Sequence, residues 1–358
     1  MNEQINKYDK QIGFTERRSS SVKKLAVLGL GHIGSYVLDT LRKDPNFNVS
    51  GYDLSHGHDL GDRSVLVDII KNVDGVLAST PYFLNKQIAE LCNEHGADYF
   101  DLTESIDVTD YVKTLSNAKF VTQCGLAPGM VSVIANNMAA KFDHVKQIQI
   151  RVGALPMNAN NRMSYYRTWN TEGLINEYIH PCPAIRNKQK TYLEPLTEFE
   201  NITLEGQTLE AVTTSGGLGS MADTWSDRAE SVDYKTLRYP GHWDKMKFLK
   251  DDLGLASNFK TFVDLFNKNI PQTDKDYVYI LINVTGDKNN QHQIRQYSKR
   301  IESQGNTTAI QLTTGYGVMA VLDAWQKGSM DQLKGWIRVE DIDYNSIWSS
   351  RYSSCYQV

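Results

Sequence analysis

The amino-acid sequence predicts an α/β protein in which a doubly wound parallel sheet is followed by a second α/β domain with a mixed sheet. Three patterns lead to this prediction. From Lys23 to about Arg151, short β-branched runs alternate with stretches of helical periodicity. The first change of period takes place across the glycine-rich turn Gly29-Leu30-Gly31. Beyond Arg151, several extended segments follow one another without the long helix that a parallel crossover needs.

The first half is expected to contain five strands, each followed by a helix. The strands are predicted over 22–28, 47–52, 75–79, 99–102 and 119–123. The helices are predicted over 32–43, 62–72, 85–95 and 108–115, with a further helix from Met130. Such alternation is typical of a parallel sheet that is covered on both faces and binds ligands at the carboxyl ends of its strands.

In the second half, extended segments mostly follow one another without intervening helices. Extended segments are predicted over 147–152, 163–168, 209–214, 234–238, 277–285 and 294–301. Residues 309–327 are helical again and are expected to pack back against the first domain, whereas the chain from Gly335 has no clear period. The predicted divisions are a first domain with a polar N-terminal extension, a second domain, a returning helix and a tail, over 1–130, 131–308, 309–334 and 335–358.

Composition excludes several classes of protein. With 358 residues, 41% hydrophobic and 22% charged, the chain is globular and has material for two cores. A formal net charge of −4 predicts no nucleic-acid or membrane partner. The four cysteines lie far apart, so no metal site or disulfide framework is expected, and a cytoplasmic setting fits. No run approaches about 18 apolar residues, and residues 1–22 lack the apolar core of a signal peptide.

A dinucleotide fingerprint lies between the first strand and the first helix. The run Gly29-Leu30-Gly31-His32-Ile33-Gly34 matches G-x-G-x-x-G, in which the glycines permit a tight turn, a close approach to pyrophosphate and close helix packing. Asp53 ends the second strand, where its carboxylate is able to accept the ribose hydroxyls of NAD and would repel the 2′-phosphate of NADP. The first domain is therefore predicted to be a Rossmann domain that binds NAD in preference to NADP, although FAD uses the same fingerprint.

Two later turns are expected to face the nicotinamide ring. One follows the third strand at Thr80 and Pro81, where proline as a simple strand end is an equal alternative. The other follows the fifth strand, and a ligand-facing role is favoured there because the turn opens another helix. Its predicted cofactor contacts are Cys124, Gly125, Leu126 and Pro128. Cys124 is expected to be a small buried residue near the ring, without a nucleophilic role.

Together with the glycine fingerprint, four further strings resemble the saccharopine dehydrogenase family, with its lysine 6-dehydrogenase branch as the best fit. They run over residues 100–104, 124–129, 213–219 and 234–242. The resemblance extends from about Lys23 to Gly328. It implies a Rossmann domain joined to an α/β domain that supplies substrate groups and a homodimer interface, and it implies NAD-dependent oxidation of a C–N bond in lysine, saccharopine or a related amine.

One departure from the family pattern bears on substrate choice. Saccharopine-forming members of the fungal type usually carry W-S-P-R-G, whereas this chain has Trp169-Asn170-Thr171-Glu172-Gly173. Glu172 replaces the arginine and is expected to favour an amine terminus over the glutarate arm of saccharopine. In the alternative interpretation, Glu172 is simply an acid in the first turn of a helix over 171–178.

Oxidation of an amine needs a proton acceptor, a carboxylate clamp and little free water. His242 is the only histidine within the strings of the resemblance and is predicted to be the acid–base group, with a helix-capping role as an equal alternative. Glu104 and Asp101 follow the fourth strand and are predicted to bind the substrate ammonium, with an N-cap as the alternative.

Substrate-binding candidates come from three segments of the second domain. Arg167 has a planar guanidinium whose paired N–H donors suit an α-carboxylate, although an arginine on a strand is more often exposed. Lys235 and Arg238 lie three positions apart on one strand, so at most one of them is expected to face inward. Gly216 and Gly217 precede a helix and are predicted either to offer N–H groups to an anion or to form a plain turn.

Two alternatives to this function remain open from the sequence. One is an imine reductase of carboxynorspermidine type that works in the biosynthetic direction. The other is a non-catalytic protein that senses NAD. The clustering of polar strings in the second domain favours an enzyme acting on a small amino acid or amine.

Overall fold

The structure, a computed structural model, describes residues 22–357. The polar extension predicted over 1–22 lies outside the described residues except for its last position. The chain begins with alternating strands and helices, which are β1 (Lys23–Leu28), α1 (His32–Leu41), β2 (Phe47–Tyr52), α2 (Arg63–Ile70), β3 (Gly75–Ala78), α3 (Tyr82–His95), β4 (Asp98–Asp101), α4 (Ile106–Val112), β5 (Lys119–Val121) and α5 (Met130–Ala139). Every predicted element of this half is present, with ends displaced by three residues or fewer.

The second half forms a mixed sheet. Its elements are β6 (His144–Pro156), α6 (Thr171–Ile179), β7 (Cys182–Arg186), β8 (Gln189–Leu193), β9 (Glu200–Leu204), β10 (Gln207–Thr213), α7 (Met221–Thr224), β11 (Ala229–Arg238), α8 (His242–Lys247), α9 (Phe259–Asn269), β12 (Asp276–Lys288) and β13 (Gln291–Glu302). The strand order is β13-β12-β6-β11-β10-β9, with the β7–β8 hairpin attached to β11. Only β6 and β11 pair in parallel within this described sheet. The predicted fold class is confirmed.

One predicted strand of this half is wrong. Residues 163–168 are irregular apart from a single bridge at Arg167. The side chain of Asn161 binds both the backbone N–H and the carbonyl of Tyr165, at 3.2 and 2.7 Å, and Ser164 has a φ of 49°. A side chain that binds the backbone in this way replaces the partner that a neighbouring strand would provide.

The chain then returns to the first sheet through α10 (Ala309–Gln326), β14 (Gly335–Ile337) and α11 (Tyr344–Trp348). A capping box at Thr308 starts α10, which packs closely on α1 because a Cβ at Gly315 would lie 2.7 Å from the ring of Tyr36. The tail, which lacks a clear period, is nevertheless ordered in this fold. Its strand β14 pairs with β5, and the hydroxyl of Tyr352 donates to Asp44 at 2.9 Å.

The first sheet has the order β14-β5-β4-β3-β1-β2, and all of its described pairs are parallel. From β1 the chain adds β2 on one side of the sheet and then β3, β4 and β5 on the other, so the order of strands reverses between β1 and β3. In open sheets of this kind, a crevice lies at the carboxyl ends of the strands where the order reverses. The largest apolar core joins α1, α5 and α10 to the inner face of the second sheet. No helix within residues 22–357 is long and apolar enough to cross a bilayer.

Candidate active site

A cleft of about 1430 Å³ lies between the carboxyl edge of the first sheet and the second sheet. Its walls come from the turns after β1, β3, β4 and β5, from α6 and β11, and from the start of α10. Pockets for single small molecules usually have about 300 to 1,000 Å³. This cleft is therefore large enough for a dinucleotide and a second ligand.

The glycine turn after β1 leaves a free backbone surface at one end of the cleft. Gly29 has a φ of 85°, and a Cβ there would lie 2.5 Å from the carbonyl oxygen of Ser79. A Cβ at Gly34 would lie 2.0 Å from the carbonyl of Gly29, whereas one at Gly31 would meet nothing within 4 Å. Two glycines thus permit the close packing of the turn, and the third keeps the surface over the turn open.

This open surface fits a pyrophosphate. Gly31 is the N-cap of α1 and no side chain caps the helix. The first-turn N–H groups and the positive end of the helix dipole are therefore available to an anion. His32 and Ile33 line the cleft beside the turn. The imidazole Nε2 of His32 lies 3.1 Å from the hydroxyl of Thr308, which ties α1 to the start of α10.

Asp53 lies beside the glycine turn and also lines the cleft. Its carboxylate accepts the backbone N–H of Leu30 at 2.9 Å and the backbone N–H and hydroxyl of Ser55 at 2.9 and 2.7 Å. The bond from Leu30 is the main reason that the pKa of Asp53 lies below its usual range. An ionised, half-buried carboxylate with lone pairs to spare suits the hydroxyls of a ribose.

The later turns complete this end of the cleft. Thr80 and Pro81 after β3, and Gly125, Leu126 and Pro128 after β5, all contribute to its wall. Cys124 does not contribute. It is fully buried behind the turn, and its thiol donates to the carbonyl of Val121 at 3.2 Å. The prediction that Cys124 contacts the cofactor is therefore wrong for its side chain.

The other end of the cleft is formed by one face of β11. Tyr234, Thr236 and Arg238 alternate along the strand and line the cleft. Lys235 points to the opposite face, where its ammonium lies 2.6 Å from the carboxylate of Glu200. Only one of the two predicted cations thus faces inward, and the position of Lys235 argues against the predicted contact with substrate because Glu200 already pairs with it.

Arg238 is a buried cation without an acid at contact distance. Only 2% of the residue is exposed, and its guanidinium donates to the hydroxyl of Tyr178 at 3.1 Å and to the carbonyls of Leu237 and Ala154 at 2.9 and 3.4 Å. Its side chain also lies 5.2 Å from the ring centre of Tyr165. No carboxylate within residues 22–357 comes within 4 Å of it, so its charge is left for an anionic ligand.

Two glutamates lie on the same cleft wall. Glu104 follows β4, and Glu177 is in the last turns of α6 with only 8% of the residue exposed. Burial raises the pKa of Glu177 to about 8, against the attraction of Arg238. Burial, and then repulsion from Glu177, raises the pKa of Glu104 well above its usual range. Such shifts in a cleft are typical of acid–base groups.

Within residues 22–357, no group of three or more histidine, cysteine, aspartate or glutamate side chains is arranged to hold a metal ion. The polar groups of the cleft include the guanidiniums of Arg167 and Arg238, several carboxyls and backbone N–H groups.

A comparison with protein families identifies the relationship of the chain. The model of the saccharopine dehydrogenase C-terminal domain matches residues 125–350, which is more than half of the chain. The chain belongs to the saccharopine dehydrogenase family. The resemblance found in its sequence strings is thereby confirmed.

Two mammalian relatives of this saccharopine dehydrogenase family member are described as mitochondrial alpha-aminoadipic semialdehyde synthases. The protein of Rattus norvegicus is 22% identical over 308 residues, which cover 74% of this chain and 32% of that protein. The protein of Mus musculus is 22% identical over 228 residues, which cover 52% of this chain and 24% of that protein. The chain thus spans about a third or less of the length of these relatives.

A solved structure shares the fold over nearly the whole chain. The apo, histidine-tagged saccharopine dehydrogenase (L-Glu forming) of Saccharomyces cerevisiae matches with a TM-score of 0.72 and 14% identity. The match covers 91% of this chain and 96% of the yeast chain. The two proteins therefore have the same arrangement of a Rossmann sheet and a mixed sheet.

The structure places two predicted catalytic residues of this family member away from the cleft. His242 is 0% exposed among the rings of Tyr165, Tyr178 and Trp243, and its Nδ1 lies 3.0 Å from the carbonyl of Met163. Burial lowers its pKa to about 3, so it stays neutral. Its position argues against the predicted acid–base role.

Asp101 is likewise fully buried and does not line the cleft. Its carboxylate accepts the hydroxyl of Tyr99 at 2.8 Å and the backbone N–H groups of Gln123 and Thr103 at 2.9 and 3.1 Å. It therefore holds the turns that follow β4 and β5 in place. Its position argues against a direct contact with the substrate ammonium.

The remaining substrate candidates are divided. Arg167 lines the cleft, but its guanidinium donates to the carbonyl of Ile270 at 2.7 Å and to the side chain of Asn267 at 2.8 Å, so it mainly joins α6 to α9. Glu172 is exposed at the rim, in the first turn of α6. Gly216 lines the cleft, whereas Gly217 packs under the ring of Tyr234.

Sequence reasoning did not select several residues of the wall. The most important is Glu177, which lies one helical turn after the buried Leu174 on the same face of α6. The apolar period of this face indicates burial, but it does not identify a function. Other unselected polar or aromatic residues of the wall include Asn85, Trp169, Asn176, His180, Tyr192, Tyr234 and Thr236.

Proposed function

We propose that this member of the saccharopine dehydrogenase family is an NAD-dependent oxidoreductase. It oxidises a C–N bond of lysine or a lysine-derived amine by hydride transfer. The observation that carries the proposal is a single cleft with an open dinucleotide turn at one end and Arg238 at the other, a cation with no acid at contact distance among residues 22–357. The names of the relatives, which refer to saccharopine and to alpha-aminoadipic semialdehyde, support an amine of this class.

The cofactor would lie along the carboxyl edge of the first sheet. The backbone at Gly31 and the start of α1 would hold the pyrophosphate, and Asp53 would accept the ribose hydroxyls. The turns that carry Thr80 and Gly125 would orient the nicotinamide, which supplies the hydride acceptor when bound. The carboxylate of Asp53 leaves no favourable place for a 2′-phosphate.

The substrate would bind between the first-sheet turns and β11. Arg238 binds a carboxylate, and its burial strengthens this pair because water is excluded. Glu104 lies on the first-sheet side of the same wall, where it is placed to meet an ammonium near the nicotinamide. The substrate amine is thus held between a fixed carboxylate anchor and a proton acceptor.

The reaction needs one proton and one hydride to leave the substrate. The ammonium would first lose a proton to a carboxylate of the wall, and the carbon that bears the nitrogen would then give up a hydride, for which the nicotinamide would be the acceptor when bound. Water would add to the resulting iminium, and the C–N bond would break to give a carbonyl compound and an amine or ammonia. The carboxyls of Glu104 and Glu177 line the cleft and are the candidates for the proton acceptor.

A spectrophotometric assay tests the proposal. NADH formation is measured with L-lysine, saccharopine and small diamines, and NADP replaces NAD in a parallel series. We expect reduction of NAD with lysine or saccharopine. Binding of NAD without reduction by any of these amines would contradict the proposal and would favour a protein that senses NAD. The family assignment gives no support to that alternative or to an imine reductase of carboxynorspermidine type.

The second sheet is also proposed to carry a homodimer interface. Its outermost described strands, β9 and β13, each pair on one side only, and β13 exposes Ile294. An unpaired strand of this length exposes a row of backbone N–H and C=O groups, which a second subunit would bind. Light scattering should give twice the chain mass of 40.5 kDa. A monomer at every concentration would contradict the proposal.

A further inference from the structure

Glu104 and Glu177 are two acids at one place without hydrogen-bonding partners. Both line the cleft. Within residues 22–357, neither carboxyl accepts a hydrogen bond or forms an ion pair at contact distance. A buried polar group is normally satisfied by the protein. Glu104 and Glu177 instead both face the space where a substrate would bind.

One turn of the second domain contacts both residues. The backbone N–H of Ser215 donates to the backbone carbonyl of Glu177 at 2.9 Å. The next residue, Gly216, has a φ of 85°, and a Cβ there would lie 2.9 Å from the Cβ and 3.1 Å from the carboxyl oxygen Oε2 of Glu104. The side chain of Glu104, which follows β4, therefore packs against a turn that is hydrogen-bonded to the backbone of Glu177 in α6.

The charges around Glu104 and Glu177 favour a state in which the two carboxyls together carry one proton. Besides each other, the titratable groups that face the two acids are Tyr165, Tyr178, Cys182, Tyr234 and Arg238. Burial raises the pKa of each of these tyrosines and of the cysteine, so all four are neutral at pH 7. Arg238 is the one cation of this set. One ionised carboxyl balances it, whereas two would leave a net buried charge.

We propose that Glu104 and Glu177 share one proton at neutral pH and that the ionised member takes the proton of the substrate ammonium before the hydride leaves. The step converts a carboxylate and an ammonium into a carboxylic acid and a neutral amine. The extra proton leaves to solvent through Glu104, which is less buried than its neighbour. The catalytic use of the pair depends on the proposed function, but the shared proton does not.

Carboxyl NMR of protein labelled with ¹³C at glutamate Cδ tests the shared proton without an assay of activity. In the wild type, the resonances of Glu104 and Glu177 should each titrate in two steps, because each carboxyl senses the ionisation of the other. In Glu177→Gln, the resonance of Glu104 should titrate in one step with a lower midpoint. One-step titration in the wild type, with a midpoint that the substitution does not move, would overturn the proposal.

The pH dependence of kcat/KM tests the use of the pair. The singly protonated pair predicts a bell-shaped profile in the wild type, and Glu177→Gln should remove one of its two limbs. Glu340→Gln is the matched control, because Glu340 is a buried acid with a raised pKa outside the cleft. Its profile should keep both limbs. An unchanged profile in Glu177→Gln would overturn the catalytic role.

The two experiments separate this inference from the proposed function. Coupled titration together with loss of one limb supports both. Coupled titration in a protein that oxidises no amine of the panel supports the shared proton and overturns its use in amine oxidation, together with the proposed function. Oxidation of lysine or saccharopine without coupled titration leaves the proposed function intact and overturns the shared proton.

Discussion

The two ends of the cleft differ in whether their charged side chains have partners within the protein. At the cofactor end, the carboxylate of Asp53 accepts three hydrogen bonds from Leu30 and Ser55. At the substrate end, Glu177 has no hydrogen-bonding partner, and Arg238 reaches only neutral acceptors among the described residues. The acid of the first end is satisfied by the protein alone. At the second end, the guanidinium and the carboxyl have no hydrogen-bonded partner of opposite charge among residues 22–357, so a ligand that carries both charges is able to meet them.

The same contrast appears between two arginines of the second sheet. Arg151 is as buried as Arg238, but its guanidinium pairs with the carboxylates of Asp233 and Glu200 at 2.5 and 2.9 Å. This pair of acids makes Arg151 a structural residue. Arg238, on the strand beside it, has no such acids and is free to bind.

The largest effect is expected on stability, from Arg151→Met. Removing this cation leaves the buried Asp233 and the half-buried Glu200 each with one partner fewer, which should lower the free energy of unfolding by about 3 to 5 kcal/mol. Urea denaturation measures the change. Arg238→Met should lose less, because it leaves no acid that was paired at contact distance. An equal loss of unfolding free energy in Arg151→Met and Arg238→Met would contradict the distinction between a structural and a ligand-binding arginine.

Arg238→Met should have the next largest effect, on catalysis. Loss of a charged hydrogen bond to the substrate carboxylate should remove about 1.5 to 3 kcal/mol of transition-state binding, which is roughly a 10- to 150-fold fall in kcat/KM. Arg300→Met is the control, because Arg300 stacks on Tyr277 outside the cleft. Steady-state kinetics should show a fall for the first variant alone. A normal kcat/KM in Arg238→Met would exclude the carboxylate anchor.

Asp53→Ala tests the cofactor end. The variant should weaken NAD binding by about 1 to 3 kcal/mol and relax the discrimination against NADP, because the ribose loses its acceptor. Fluorescence titration with NADH and NADPH measures both effects. Asp62→Ala is the matched control, since Asp62 accepts the backbone N–H of Ser64 at the start of α2 in the same way but lies outside the cleft. Equal affinity of the wild type for NADPH would contradict the preference.

The smallest effect is expected at the rim, from Glu172→Arg. Because Glu172 is exposed, its attraction for a substrate ammonium is screened and should amount to about 1 kcal/mol or less, rather than the roughly 4 kcal/mol of a pair about 4 Å apart at an effective dielectric near 20. The ratio of kcat/KM for lysine to that for saccharopine should fall slightly. An unchanged ratio would leave Glu172 with only its favourable place in the first turn of α6.

The cofactor end was largely predictable because its signals are local in sequence. Gly29, Gly31 and Gly34 lie within six residues, and close packing of the turn requires glycine at the first and the third of these positions. The substrate end joins β4, α6, β10 and β11, whose side chains come together only through tertiary packing. Glu177 therefore gave no local signal of function, although burial of its helix face could be read from the apolar period.

The failed predictions have physical causes of the same kind. His242 follows a Pro-Gly turn, which suggests a surface position, but three aromatic rings surround it in the second-domain core. The unpredicted β7–β8 hairpin is short and its second strand is polar, with Asn187 and Lys188 at φ values of 52° and 66° in its turn. The missed α9 had a clear apolar period at Phe262, Val263 and Phe266 that could have been found.

We expect a hydride to pass directly across this cleft, from the substrate whose carboxylate is bound by Arg238 to the cofactor that is bound beside Asp53. Transfer of deuterium from L-lysine deuterated at Cα and Cε tests it most directly, with saccharopine deuterated at the carbons that bear nitrogen as the second probe. Mass spectrometry of the reduced cofactor should show one deuterium in the wild type. Unlabelled NADH, or no reduced cofactor with either probe, would contradict the account.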